Sequence, residues 1–334
     1  MKLGKLPPEL LEKLLGQVDI RDPRVLLGPR IGEDAALIDY GERILVAKTD
    51  PITFATDLIG WYVVQVNAND VACAGAQPRW FMATLLLPQA YTAAEVTDLF
   101  RQLTDACSSL GVTLVGGHSE VTRGLEQPII VGCMLGEVEK GKEVNTSGAR
   151  EGDSIVVTKG ISLEGCALLA RERPQELRAA GVDQPSIERA AEFLFTPGIS
   201  VVRDARIACS AAEVHSLHDP TEGGLATGLQ EVAKAAQVGM VIEEKSIPIV
   251  PECRAICDAL GLNPLGLLAS GCLVIALPRQ ETPKLLSALT GEGIRAWEIG
   301  EVTEAGQGVL LRDRQGLKPM PTFERDELAR YLEA

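Results

Sequence analysis

Apolar and polar residues alternate in two short runs, Ala35 to Asp39 and Arg43 to Thr49, and the Tyr40-Gly41 pair between them predicts a two-stranded hairpin. The alternation ends at Gly60. From there to Gly75 the chain is apolar on nearly every side (GWYVVQVNANDVACAG), which predicts a helix in an apolar interior, stopped by Gly75 and Pro78. Arg79 to Leu87 is a predicted strand. Thr92 to Leu110 is a predicted helix with Val96, Leu99, Phe100 and Leu103 on its apolar face. Val112 to Val115 predicts a short strand ending in the loop Gly116-Gly117, and Pro128 to Val138 a longer one. A short amphipathic helix, Pro8 to Leu15, comes before all of these. The order β-β-α-β-α-β-β suggests a mixed sheet with helices on one face.

The chain turns near Gly148-Ala-Arg-Glu-Gly-Asp153 and starts a second pattern. Strands are expected at Ser154 to Thr158, Gly239 to Glu243, Cys272 to Leu277, Trp297 to Val302 and Gly308 to Arg312. Between them, helices are expected at Leu163 to Ala170, Pro185 to Phe193, Ile199 to Ala211, Leu225 to Ala236, Pro251 to Leu260 and Pro283 to Leu289. A last short helix would carry Leu328, Tyr331 and Leu332 on its apolar face. The expectation is two α/β domains, 1–150 and 151–334, each long enough to bury a core.

Charge narrows the function. A net charge of −14 and a pI near 4.8 argue against a nucleic-acid surface. They also mean that a phosphorylated ligand would call for a metal ion to offset repulsion. The eight cysteines are scattered among small apolar residues and read as reduced, buried thiols of a cytoplasmic protein. The first residues lack the apolar core of a signal peptide. Leu58 to Pro78 is long enough to span a membrane, but Gln65, Asn67, Asn69, Asp70 and Gln77 argue against it.

Four acidic residues interrupt apolar or glycine-rich context: Asp34 in GEDAA, Asp50 after Lys48-Thr49, Asp70 in NANDVACAGAQP and Asp219 in HDPTEGG. Carboxylates at strand ends and on a facing helix suit Mg²⁺, which takes oxygen ligands and shares them with phosphate. Asp34 reads equally well as a turn residue and Asp219 as a helix N-cap, while Asp50 before Pro51 could simply form a turn. Asp70 is harder to explain away, because it is the only charge between Asp57 and Arg79. Asn67 lies three residues before it, on the same helical face. Two glycine pairs, Gly116-Gly117 and Gly223-Gly224, could offer backbone N–H groups to phosphate or could be tight turns.

In order, the motifs GEDAA, TD, NANDVACAGAQP, GGHSEVT, DPTEGGL and ASGCLV resemble an ATP-dependent superfamily. It includes aminoimidazole ribonucleotide (AIR) synthetase, the hydrogenase maturation protein HypE, thiamine-monophosphate kinase and selenophosphate synthetase. The resemblance spans about residues 28 to 312. It implies a two-domain α/β fold whose N-terminal sheets pair across a homodimer into a barrel, with a C-terminal α/β sandwich and Mg-ATP as cofactor. On that template Asp34, Asp50, Asp70 and Asp219 fall on metal or phosphate positions. Asn67, Gly116, Gly117, Gly223 and Gly224 fall on nucleotide-binding ones, and Lys48 becomes a phosphate contact by proximity. His118 and Glu120 are the candidate catalytic pair.

The central and Asn263-Pro-Leu-Gly regions look most like HypE and its AIR-synthase-related neighbours. HypE proteins end in Pro-Arg-Ile-Cys, whereas this sequence ends Arg330-Tyr-Leu-Glu-Ala334 with Cys272 as its last cysteine. The expectation on that ground is an ordered C-terminal helix and no protein-bound thiocyanate. The resemblance leaves three readings open. One is an enzyme that activates an oxygen of a small substrate or carbamoyl group by phosphoryl transfer, with a maturation partner protein. The others are a thiamine-monophosphate-kinase-like kinase and a nucleotide-binding scaffold.

Overall fold

The computed structural model of the protein describes residues 8–30, 32–53 and 55–333. In chain order the elements of the first half are α1 (Pro8–Leu15), β1 (Val25–Leu27), β2 (Ala36–Asp39), β3 (Arg43–Ile52), α2 (Ile59–Cys73), β4 (Gln77–Leu87), α3 (Ala93–Leu110), β5 (Thr113–Val121) and β6 (Ile129–Glu139). The second half holds β7 (Asp153–Thr158), α4 (Leu163–Glu172), α5 (Pro174–Ala179), α6 (Gln184–Ala191), α7 (Val202–Ala211), β8 (Ser216–His218), α8 (Gly224–Ala236) and β9 (Gly239–Glu243). It continues with α9 (Pro251–Leu260), β10 (Val274–Pro278), α10 (Thr282–Gly291), β11 (Ala296–Thr303), β12 (Val309–Asp313), β13 (Gly316–Pro319) and α11 (Glu327–Leu332). The chain forms two compact units. One comprises Ile20–Gly28 and Asp34–Glu143, while α1 and Pro29–Glu33 cluster with the stretch from Val144 onward.

The N-terminal unit is a six-stranded sheet in the order β1-β2-β3-β6-β4-β5, antiparallel except for the β4–β5 pair. Helix α2 lies across β3 and β6, with α3 packed against it. Glycine makes both approaches close. A Cβ on Gly132 would meet the Asn67 side chain at 2.4 Å, one on Gly136 would meet Val71 at 2.3 Å, and one on Gly60 would meet Gln102 at 2.9 Å. Every residue of α2 except Trp61 is buried, which suits a helix that is apolar all round. Helix α3 is amphipathic instead. It opens with a capping box, in which the Thr92 hydroxyl accepts from the Glu95 N–H and the Glu95 carboxylate accepts from the Thr92 N–H.

The strands record this one-sided packing. On the helix side Ile44, Val46, Ile130, Met134, Phe81 and Leu85 are buried, whereas their alternates Leu45, Ala47, Val131, Leu135, Met82 and Leu86 are only half-buried. Strand β3 also runs further than the sequence pattern suggests, through Asp50 and Pro51 to Ile52. Beyond Ala47 it no longer pairs with β2, so Pro51 sits where one side of the strand needs no N–H donor. Asp50 is therefore inside a strand, not at its end.

The C-terminal unit is built on a seven-stranded sheet, β13-β12-β9-β11-β7-β10-β8, in which only β9 and β12 run parallel. Its core joins Ile155 and Val157 of β7, Leu225, Leu229 and Val232 of α8, and Met240 and Ile242 of β9. Most elements follow the sequence pattern within two residues. Strands β1, β8 and β13 and helix α5 lack a sequence signal because each spans only three to six residues. Helix α11 packs Leu328 and Ala329 inward and is tied down by Arg330, which donates to the Gly261 carbonyl, and by Tyr331, which donates to Glu176.

Candidate functional site

The densest polar cluster of the N-terminal unit sits where β3 faces α2. Lys48 and Asp50 are two residues apart on β3 and so share a face, while Asp70 lies on the last turn of α2. Lys48 Nζ pairs with Asp70 Oδ2 at 3.1 Å and lies 3.8 Å from Asp50 Oδ2. Burial disfavours the ammonium, but the fields of Asp70, Asp50 and Asp34 outweigh it and hold the Lys48 pKa above its ordinary value. Three carboxylates thus act on a single cation. The solitary charge of the α2 sequence is explained by this pairing, since an unpaired ion at that depth would be very costly.

Asn67 shares the Asp70 face and is fully buried. Its Nδ2 donates to the Asp50 carbonyl at 3.1 Å and to the Val63 carbonyl at 2.8 Å, pinning α2 to β3. Its Oδ1 accepts no hydrogen bond among the described residues. Of the adjacent acids in GEDAA, Asp34 acts on Lys48, whereas Glu33 accepts from the Thr146 and Ser147 N–H groups. The excess of carboxylate over ammonium and the unused amide oxygen are hard oxygen donors, and they fit a divalent cation that carries phosphate.

The second glycine-bearing stretch differs from the sequence expectation. Gly116 and Gly117 do not form a loop after a short strand; they lie inside β5, which pairs with β4 from Thr113 opposite Trp80 to Val121 opposite Leu87. The cause is backbone contact. A Cβ on Gly117 would lie 2.0 Å from the Ala83 carbonyl oxygen, and its φ is +149°; the pairing itself slips by one residue just before, at Val115, between Phe81 and Met82. Gly116 faces open space. His118 and Glu120 follow on the same edge strand, both exposed, with His118 Nε2 3.2 Å from Glu120 Oε2. The His118 hydrogen bond is the main reason that the Glu120 carboxyl is held below its usual range. Two strands, β6 and β4, separate this pair from Lys48 and Asp50 on β3. That places it on the order of 14 Å across the sheet from the Lys48 cluster, so the two groups form separate sites within the unit.

In the C-terminal unit Asp219 follows β8 and is buried. The N-cap of α8 is Gly223, so Asp219 does not cap that helix. Gly223 and Gly224 have φ of +81° and +62°, and Cβ atoms there would strike Thr227 and the Leu265 carbonyl. The Gly223 N–H donates to Asp326 Oδ2 at 2.7 Å, a bond that sequence reasoning did not anticipate because its partner is 103 residues away. His218 Nε2 lies 3.0 Å from Glu231 Oε2 on α8. Six of the eight cysteines are buried; Cys133 is half-buried and Cys209 exposed. Among the described residues no helix is long and apolar enough to cross a membrane.

Residues 32–138 match the model of the AIR synthase related protein N-terminal domain, and residues 150–312 match that of the C-terminal domain. Carbamoyl dehydratase HypE of Cupriavidus necator is 31% identical over 298 residues, covering 86% of this chain and 82% of its own. A putative hydrogenase expression/formation protein of Methanocaldococcus jannaschii is 29% identical over 317 residues, with 92% and 91% covered. Among solved structures, hydrogenase maturation protein HypE in complex with ATP superposes with a TM-score of 0.69 at 23% identity, covering 94% of this chain and 91% of the other. A HypE–HypF complex gives 0.70 at 23%, with 88% and 94% covered.

Proposed function

The chain belongs to the AIR synthase-related family, and from that premise we propose that it is a Mg-ATP-dependent enzyme of the carbamoyl dehydratase type. In this reading it activates the oxygen of a carbamoyl group by phosphoryl transfer. The observation that carries the reading is the Lys48, Asp50, Asp70 and Asn67 cluster, where buried oxygen donors outnumber the one cation that holds them. Asp34, Asp50 and Asp70 would hold the metal, which neutralises phosphate charge and orients the phosphoryl group. Lys48 would exchange its carboxylate partners for a phosphate oxygen, and Asn67 would keep β3 and α2 in register while presenting Oδ1 inward. Catalysis of this kind is mostly positioning and charge neutralisation, so preformed side chains are what the reaction requires.

The roles of the remaining site residues follow from their surroundings. Gly117 is engaged by β4, so the open Gly116 is the better candidate for a backbone contact to phosphate. His118 and Glu120, exposed on an edge strand, fit a role toward an incoming substrate or partner chain better than toward the Lys48 cluster. Gly223, Gly224 and Asp219 would serve from the C-terminal unit. In this reading the ATP-binding and dimerisation domain is the unit of Ile20–Gly28 and Asp34–Glu143, and the C-terminal domain is the unit from Val144 onward, to which α1 and Pro29–Glu33 also belong.

Partners follow the same line. The half-buried apolar face of Leu45, Ala47, Val131, Leu135, Met82 and Leu86 supports a homodimer in which a second copy covers it. A carbamoyl-supplying maturation protein is the proposed hetero-partner, in keeping with the HypE–HypF neighbour. The test is ADP formation by the purified chain, with and without a carbamoyl-donor protein and carbamoyl phosphate. ADP release that requires the donor supports the reading, and tight ATP binding with no turnover under any condition overturns it.

A further inference from the structure

The carboxylates around Lys48 have a neighbour that the nucleotide reading leaves unused, the thiol of Cys73. Helix α2 presents Asn67, Asp70 and Cys73 at steps of three residues, so they form one row along its surface. The row begins with Asn67 Oδ1, fully buried and accepting no hydrogen bond among the described residues. It continues with the Asp70 carboxylate, which Lys48 Nζ meets at 3.1 Å. It ends at Cys73, the last residue of α2, which is 2% exposed. The last turn of a helix carries partial negative charge on its carbonyls, so this end of the row also favours a cation.

Asp34 meets the row at its far end. One of its carboxylate oxygens and Cys73 Sγ come within 4.8 Å of each other. A zinc-sized ion holds sulfur at about 2.3 Å and a carboxylate oxygen at about 2.1 Å, which at a tetrahedral angle sets them about 3.6 Å apart. The closure needed is at most about 1.2 Å, within reach of a side-chain rotation. Two further features call for a cation here: the carboxylates that outnumber Lys48, and the unpartnered Asn67 oxygen on the same row. The thiol changes which cation that is. Sulfur suits borderline ions such as Zn²⁺ and Co²⁺, while Mg²⁺ takes oxygen ligands in a near-octahedral shell.

We propose that Cys73 Sγ and Asp34 together bind a borderline divalent cation, of the Zn²⁺ or Co²⁺ class, at the edge of the Lys48 cluster. As the sulfur–metal bond forms, the thiol proton leaves to solvent, and water or a phosphate oxygen completes the coordination. The N-terminal unit then selects its cation by sulfur as well as by charge. This deepens the nucleotide reading and rests on it for the role of Asp34 as a metal ligand.

The test is Co²⁺ titration of the reduced full chain without nucleotide, followed by absorption. Wild type is expected to develop the near-ultraviolet charge-transfer band of a cobalt–thiolate bond. Cys73→Ser and Cys73→Ala, which keep the other seven cysteines, are expected to lose it. Asp34→Asn keeps every thiol and removes the second donor. Loss of an outer-shell partner alone weakens a metal site roughly ten- to a hundredfold, so this variant should need at least about tenfold more Co²⁺ for the band. It carries the test if neither cysteine variant folds. Excess Zn²⁺ should abolish the band, and the same excess of Mg²⁺ should not. A band of equal size and affinity in wild type and in the folded variants would overturn the proposal. So would a wild type with no band at millimolar Co²⁺. Calorimetry of Mg-ATP on wild type separates the two claims. Mg-ATP binding without a Cys73-dependent band overturns this inference alone, whereas the band without Mg-ATP binding supports the thiolate ligand and overturns the nucleotide reading.

Discussion

The two units bury acidic residues in opposite ways. Around Asp70 the N-terminal unit places an ammonium, Lys48, among the carboxylates, and their fields strengthen its charge. Around Glu164 in the C-terminal unit the strongest charged neighbours are other carboxylates, and the acid is driven toward its neutral form. The difference shows that a buried acid in glycine-rich surroundings does not by itself define chemistry. One cluster is held together by an internal cation, which in the proposed function it exchanges for a ligand. The other is kept neutral by a proton.

The largest expected effect comes from making the first cluster like the second. Lys48→Met leaves Asp34, Asp50 and Asp70 without their cation, and breaking a buried pair in this way costs roughly 3–5 kcal/mol. Because Lys48 is 21% exposed, the lower end is expected. Chemical denaturation should show that loss in chelator and a partial recovery in Mg²⁺. No recovery would mean that the carboxylates do not converge on a cation.

Next in size is the converse change. A carboxyl raised to about 8 stays protonated in the folded chain where the unfolded chain has already released its proton. Its stabilising contribution is therefore complete below the ordinary carboxylate range and falls away as pH rises through about 8. Chelated wild type should lose stability across that window, by up to a few kcal/mol. Glu164→Gln should remove the slope between about pH 7 and 8, leave below it the share that Asp326, raised to about 7, contributes, and be the more stable protein above pH 8. An unchanged slope between pH 7 and 8 after the substitution would place the titration elsewhere.

Smaller effects probe the two glycine pairs. Gly117→Ala drives a methyl group into the Ala83 carbonyl and should cost roughly 1–3 kcal/mol, while Gly116→Ala, facing open space, should be near neutral. Equal melting temperatures for the two variants would refute the close-contact argument. Smallest of all, the Cys272 thiol is buried and pushed up to about 12, so it should resist iodoacetamide at pH 8 in the folded protein, while the exposed Cys209, whose thiol is also pushed up to about 11, is labelled slowly. Mass spectrometry reads both positions.

Much of this was legible in the chain. The alternation in β3 and the apolar wrap of α2 located the sheet and its buried helix, and the lone charge of Asp70 marked where they meet. What stayed hidden depends on distant partners. Nothing near Gly116-Gly117 shows that β4 lies against it, so a loop was expected where a strand runs. Glu164 in SLEGCALLA drew no reading from the sequence, and only the surroundings that bury it, with Ser270 and Asp326 near, make it unusual. A glutamate between Leu163 and Gly165 at the start of an apolar helix was the available signal, and on its own it is weak.

The central claim is that the Lys48 and Asp70 cluster binds Mg-ATP, and calorimetric titration of Mg-ATP into wild type and Asp70→Asn tests it most directly. The account predicts Mg²⁺-dependent binding to wild type and none to the folded variant, whose Lys48 has lost its 3.1 Å partner. Wild-type affinity in Asp70→Asn, with folding confirmed by circular dichroism, would contradict it.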